Sequence, residues 1–246
     1  MLFFMPYLFI NPILIAAAVI PAVILLVQVY RADRLEKEPP SLLLSLVLYG
    51  VFATSLAKLT ESLGVSLLNR FVRGELVYNL LLNFVVVGLS EEGFKYLLLK
   101  RRTWDSACFN CQFDGVVYAV FVSLGFALWE NISYVIMYGF GTALVRAVTA
   151  VPGHACFGVF MGALYGMAKK YDGYGQMEKS RTLRWLAVLL PVLLHGAYDF
   201  IASYPNVHYA WIFVGFIAAL FTAAFLLVRK MSREDQYIHN RNARYF

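Results

Sequence analysis

Charge is scarce in this 246-residue sequence: Asp, Glu, Lys and Arg make up 15% of it, and 61% is hydrophobic. A soluble domain carries roughly 25% charged residues. The mean hydropathy of +0.66 excludes a water-soluble domain, a disordered chain and a collagen-like repeat. Cysteine is nearly absent. Three residues, Cys108, Cys111 and Cys156, are too few and of the wrong parity for a disulfide framework. There is no internal repeat and no low-complexity tract. No polar stretch is long enough for a soluble domain; the longest are Arg101–Asp114, Lys169–Thr182 and the segment after Arg229. A formal net charge of +6 would suggest nucleic acid in a soluble protein. Here the charge orients helices in a bilayer instead, and no nucleic-acid partner is expected.

What is present is long apolar runs. Each span needs about 20 residues, and seven runs qualify: 7–30, 41–63, 77–99, 115–138, 146–168, 183–203 and 208–228. The expected fold is therefore an all-α polytopic membrane bundle of about seven transmembrane helices in the cell membrane. The first run lacks the basic start and the cleavage site of a signal peptide, and Pro12 and Pro21 are expected to bend it. With the N-terminus outside, 16 of the 21 Lys and Arg fall in inner segments and three, Arg70, Arg73 and Arg146, in outer ones. That asymmetry predicts an N-out, C-in topology, with the 139–145 loop outside. Residues 1–231 read as one transmembrane domain. Residues 232–246 read as a polar cytoplasmic tail at the anionic inner leaflet.

Nine ionisable residues nonetheless fall inside spans: Lys58, Glu61, Glu91, Glu92, Lys95, Glu130, His154, His195 and Asp199. Each costs about 2.5–3.5 kcal/mol at a helix centre on insertion scales, so such groups persist when paired around a function. Lys58 and Glu61, one turn apart, read as a snorkelling ion pair. Lys95 lies four residues from Glu91 and three from Glu92, within helical reach of both. It can stabilise one carboxylate while the other acts as a base. Glu130 and Asn131 need partners on another helix. His154 opens a face that continues with Gly158, Gly162 and Gly166, a stripe that admits a neighbouring helix and points His154 into a tight seam. His195 and Asp199, four apart, form a carboxylate-oriented imidazole. At about 1.5 Å per residue, these groups can converge in one intramembrane cavity within residues 84–200. Such a set suits hydrolysis: a base for water and stabilisers for an oxyanion. Glu91, Glu92, His195, His154 and Asn131 are the catalytic candidates, supported by Lys95 and Asp199. No cofactor is fixed by the sequence. Zinc is the candidate, with Glu130, His154 and His195 as its ligands, although nothing here is H-E-x-x-H. Cys108 and Cys111 form a lone C-x-x-C on an inner loop, a poor zinc site without a second pair.

Four motifs in this order resemble the PrsW family of intramembrane proteases, within the superfamily of CAAX prenyl endopeptidases and bacteriocin-processing enzymes. They are E-E-x-x-K at Glu91–Lys95, F-x-x-x-E-N at Phe126–Asn131, H-x-x-x-G at His154–Gly158 and H-x-x-x-D at His195–Asp199. The charged, proline-ending link Arg31–Pro40 is also similar. The resemblance spans about residues 30 to 200. It implies an endopeptidase acting on membrane-anchored proteins, with anti-sigma factors as a bacterial substrate class. It also implies that the acid–base glutamate maps to Glu91 or Glu92. Where the prenyl endopeptidases end the second motif in His, this chain has Glu130. Two other readings stand beside it: a proton-coupled carrier, against which no matched broken-helix repeat is found, and a non-catalytic membrane scaffold.

Overall fold

A computed structural model describes residues 12–204 and 206–238. Among these residues there is helix and no strand. The elements are α1 (Pro12–Ala32), α2 (Pro40–Phe71), α3 (Glu75–Leu80), a π-helical stretch (Leu81–Gly88), α4 (Leu89–Thr103), α5 (Asp114–Tyr138), α6 (Phe140–Val148), α7 (Ala150–Gly173), α8 (Met177–Ala202) and α9 (Val207–Arg233). Seven helical segments are long and apolar enough to cross a membrane, matching the seven expected runs. Three refinements follow. Pro12 starts α1 and Pro21 lies inside it; the part of that run before Pro12 lies outside the described residues. Residues 140–148, expected as outer loop and span, form a separate helix. It follows a turn at Gly139, whose φ of 82° is costly for a residue with a Cβ. The third span is interrupted by π-helix just before Glu91.

The order of layers follows from helix surface chemistry. α5 is buried along most of its length, with α1, α2 and α7 packed around it. The outer helices turn apolar faces to lipid, such as Leu44, Leu48 and Phe52 of α2 at 61, 58 and 55% exposure. With no hydrophobic drive between helices in a bilayer, close approach comes from small residues. An added Cβ on Gly50 would stand 2.0 Å from the Val122 carbonyl oxygen, and one on Gly125 would stand 2.2 Å from that of Val47. The stripe on α7 makes the same contact with the other side of α5: Gly158 meets Val120 and Ser123, Gly162 meets Gly115 and Val116, and Gly166 meets Gln112. The seam expected for His154 is therefore the α5–α7 interface.

At the basic end of the bundle, the loop after α4 is packed under an aromatic cluster. Phe109 stacks on Tyr165 at 5.1 Å and meets Tyr118 edge-on at 5.4 Å. Asp114 begins α5 and its Oδ2 accepts from the backbone N–H of Asn110 (3.0 Å) and Cys111 (2.6 Å), ordering the C-x-x-C turn. All three cysteines are free. The chain after α9 docks here too: the N–H of Phe113 donates to Asp235 Oδ1 (2.8 Å), that of Gln112 to the Gln236 carbonyl (3.1 Å) and that of Ile238 to the Asn110 carbonyl (2.7 Å). So the first residues of the expected leaflet-bound tail pack on protein; residues 239–246 lie outside the described residues.

Asp33 and Glu38 of the α1–α2 link are buried in this junction, and both Asp33 oxygens lack a hydrogen-bond partner. Burial pushes Asp33 up to about 6, opposed by Lys37 and reinforced by Asp235 and Glu36. Burial likewise pushes Glu38 up to about 7, opposed by the nearby Tyr118 hydroxyl. A carboxyl whose folded pKa exceeds its unfolded value of about 4 contributes stability that is complete below pH 4. That contribution is lost as pH rises through 6 to 7. Thermal unfolding should therefore move to lower temperature between pH 5 and pH 8, and Asp33→Asn with Glu38→Gln should flatten the dependence. A double variant as pH-sensitive as wild type would remove this link as the cause.

Candidate active site

The site grows from four helices. α4 supplies Glu91, Glu92 and Lys95, all buried. The π stretch ahead of it pairs i→i+5 and so changes the helical register into α4. Its last residue, Gly88, lies where a Cβ would be 3.1 Å from the Val192 carbonyl, while Gly196 of α8 accepts the Phe84 ring. That backbone approach brings α4 to α8, and Glu92 Oε1 then reaches His195 Nδ1 at 2.9 Å. α7 presents His154, whose carbonyl accepts the Ser123 hydroxyl of α5 at 2.8 Å. Phe157 stacks on the His195 ring at 4.8 Å and Phe126 packs on His154, limiting how the imidazoles can turn.

Lys95 is the centre of the cluster. Its ammonium donates to Glu92 Oε1 (2.7 Å) and Glu91 Oε2 (3.3 Å), lies 3.1 Å from His154 Nδ1 and sits 4.0 Å over the Phe126 ring. Because a lysine ammonium only donates, His154 Nδ1 is the acceptor, and its Nε2–H points at Glu130 Oε2, 3.0 Å away. His195 is arranged in the same sense: Nε2 faces Asp199 Oδ2 at 3.3 Å and Nδ1 faces inward to Glu92. Each imidazole is thus held by a carboxylate on Nε2 and turns Nδ1 to a common centre. Ligand atoms of Glu91, Glu92, His154 and His195 lie within 4.8 Å of one another, a set able to hold a metal ion. Glu92 Oε2 is buried with no hydrogen-bond partner.

A cavity of about 360 Å³ opens beside this centre, lined among others by Glu91, Glu130, His154, His195 and Asp199. It runs to Asn83 and Ser203, toward the end of the bundle opposite the basic loops. Among the expected residues, Glu91, Glu92, Lys95, His154, His195 and Asp199 come together. Glu130 stands one contact further out, oriented toward His154 rather than within the metal-competent set. Asn131 is turned away: its Nδ2 donates to the Ala18 carbonyl (2.9 Å) and its Oδ1 accepts from Arg146 Nε (3.0 Å). It does not line the cavity.

Two cations at the site escaped sequence reasoning. Arg146 NH2 donates to Glu130 Oε2 at 2.8 Å, so α6 carries the partner Glu130 required. The signal was its position as a lone outer cation just ahead of the fifth span. Lys58 pairs with Glu61 at 2.9 Å as expected, yet also stands 3.7 Å from Glu130 and 4.0 Å from Glu91. It lines the cavity mouth rather than only snorkelling along the helix.

Comparison with known proteins shows the family. The profile described as "PrsW family intramembrane metalloprotease" matches residues 38–227. The protein named Protease PrsW in Clostridioides difficile (strain 630) is 35% identical over 198 residues, covering 79% of each chain. That of Bacillus subtilis (strain 168) is 34% identical over 192 residues, covering 77% of this chain and 83% of the relative. The Halalkalibacterium halodurans protein is 37% identical over 159 residues, covering 64% and 71%. No solved structure matches the chain. With its seven membrane-crossing segments and a family match over most of its length, the chain belongs to the PrsW family of intramembrane metalloproteases, multi-pass hydrolases of peptide bonds.

Proposed function

We propose that this protein is an endopeptidase of the cell membrane that cuts membrane-anchored proteins, anti-sigma factors being the substrate class the family suggests, with Glu91 as general base on water. The observation that carries the reading is the inward turn of both Nδ1 atoms, that of His195 to Glu92 and that of His154 to Lys95, with carboxylates behind both rings. Carboxylate–histidine pairs of this kind orient metal ligands.

The donor set fits zinc. Around the cavity, five carboxylates (Glu61, Glu91, Glu92, Glu130 and Asp199) face three cations (Lys58, Lys95 and Arg146). The two imidazoles complete a mixed nitrogen and oxygen donor set of the kind zinc takes. The orphaned Glu92 Oε2 is a free ligand atom in a place where an unpartnered carboxylate oxygen is costly. His154, His195 and Glu92 would hold the metal, and the Lys95 ammonium would then give up His154 Nδ1 and keep the two glutamates. When bound, zinc polarises a carbonyl and lowers the pKa of a bound water to about 7. Glu91, which faces the cavity, takes the water proton and returns it to the leaving amine. Lys95 keeps Glu92 ionised beside it. Lys58, close to Glu91 and open to the cavity, supports the developing oxyanion in the role that Asn131 does not fill. With the basic loops in the cytoplasm, the cavity opens toward the outer face, so the scissile bond enters from that side.

Purified protein incubated with a panel of single-pass membrane substrates tests this. Wild type should release a defined product, and His195→Ala should release none. Asp199→Asn should cut more slowly than wild type but measurably, because it disturbs only the orientation of His195. Equal cleavage by His195→Ala would take the imidazole out of the reaction and restore the carrier or scaffold reading.

A further inference from the structure

A second groove, apart from the active-site cavity, lies among the described residues. It measures about 790 Å³ and lies between α2, α4 and α8. On α4 it is lined by Gly93, Leu97 and Lys100, the face opposite Glu91, Glu92 and Lys95. On α8 it is lined by Arg181, Arg184 and Trp185. The groove is amphipathic along its length. Its walls around Gly93, Leu97 and Trp185 are apolar, and an added Cβ on Gly93 would meet nothing within 4 Å. Its other end holds three cations, Lys100, Arg181 and Arg184, at the inner boundary that the charge asymmetry assigns to the cytoplasm.

The guanidinium of Arg184 is the telling group. It is held 5.0 Å over the Trp104 ring, so its position is set, yet its buried Nε has no hydrogen-bond partner. The guanidinium lines the groove and makes no hydrogen bond or ion pair among the described residues, so its remaining nitrogens are open to an acceptor that the protein does not supply. Among the described residues Arg181 pairs only with Glu178, at 3.6 Å between two exposed side chains, and so remains available to a second anion. A guanidinium pair beside an ammonium matches phosphate oxygens in charge and geometry. The apolar channel leading away from them matches a hydrocarbon chain.

We propose that this groove is a binding site for an anionic phospholipid of the inner leaflet. The phosphate lies on Arg184, Arg181 and Lys100, and one acyl chain runs along Gly93, Leu97 and Trp185. The lipid would then brace the reverse face of the helix that carries Glu91 and Glu92. A zwitterionic lipid presents the same phosphate with its charge cancelled, so selectivity should follow net headgroup charge.

The test uses full-length protein in vesicles of phosphatidylcholine with increasing phosphatidylglycerol, one lipid at a time carrying brominated chains. The difference in fluorescence quenching between wild type and Trp185→Phe isolates the groove. Brominated phosphatidylglycerol should quench Trp185 at low mole fraction and brominated phosphatidylcholine only in proportion to its abundance. Arg181→Gln and Arg184→Gln should each lower the preference by about fivefold, the effect of roughly one basic residue near an anionic surface. Gly93→Leu should fill the channel and abolish the selective quenching while the helical content stays that of wild type. This variant keeps the test decisive if an arginine variant fails to fold. Equal quenching by the two lipids, or unchanged selectivity in Gly93→Leu, would overturn the proposal. Relief of quenching by millimolar inorganic phosphate would reduce the site to a free-anion site, and relief by a single-pass peptide would assign the groove to substrate; either also overturns it.

Discussion

Glu91→Gln is expected to lower peptide-bond cleavage by about 10²- to 10⁴-fold, the usual effect of removing a general base, while the protein still inserts and folds. Glutamine keeps the volume and a carbonyl oxygen for Lys95, so packing changes little. The two glutamates should differ in how they fail. Glu91 lines the cavity. Glu92 is fully buried, bonded to Lys95 and His195, and positions them. Glu92→Gln should therefore abolish cleavage as well, but with loss of metal and of thermal stability, because the Lys95 ammonium loses its nearest charged partner in a low-dielectric site. Glu91→Gln should retain both. Kinetics, metal content and thermal unfolding of the two variants separate the roles. Two variants alike in all three measurements would show that the pair acts as one unit.

The second large effect is expected at the α5–α7 seam. In Gly162→Leu the new Cβ would start 2.4 Å from the Gly115 carbonyl oxygen and 2.5 Å from Val116 Cα. These are backbone atoms of a packed helix, which cannot swing aside as a side chain can. Overpacking of this kind costs typically about 1–3 kcal/mol and sometimes more. The displaced helix carries His154, eight residues back on the same face, so activity should fall with stability. Gly162→Ala should show a smaller loss in both. If Gly162→Leu unfolds at the wild-type temperature and keeps full activity, the seam is not what holds His154 in place.

The parts of this site that were legible in the sequence are those encoded within one helix. Lys95 contacts Glu91 and Glu92 because residues three and four apart share a face, and His195 meets Asp199 for the same reason. The seven spans were legible because lipid demands long apolar runs, and the close face of α7 because glycine at every fourth position marks a helix contact. What periodicity does not encode is which helix lies opposite. Asn131 follows Glu130 in the E-N motif, yet the next residue on a helix points about 100° away, here to Ala18 of α1. Glu130 is a ligand candidate by residue type, and the packed helices give its Oε2 to Arg146 and His154. The α6 helix and the π stretch leave no mark in a hydropathy profile, since their apolar residues simply extend the neighbouring spans. Lys58 is a half-exposed cation whose pairing with Glu61 was local and visible, whereas its approach to Glu91 and Glu130 exists only once three helices have packed.

We propose that Glu92, His154 and His195 hold a metal beside Glu91 as the base. The direct measurement is cleavage of a single-pass membrane substrate by purified wild type after chelation and dialysis, then after stepwise return of zinc, with metal content determined on the same samples. The account predicts that cleavage disappears with the metal, returns in proportion to zinc bound, and reaches its plateau at one ion per chain. It also predicts that His154→Ala and His195→Ala take up no stoichiometric zinc. Full-rate cleavage by protein free of metal, with both histidine variants equally active, would contradict it.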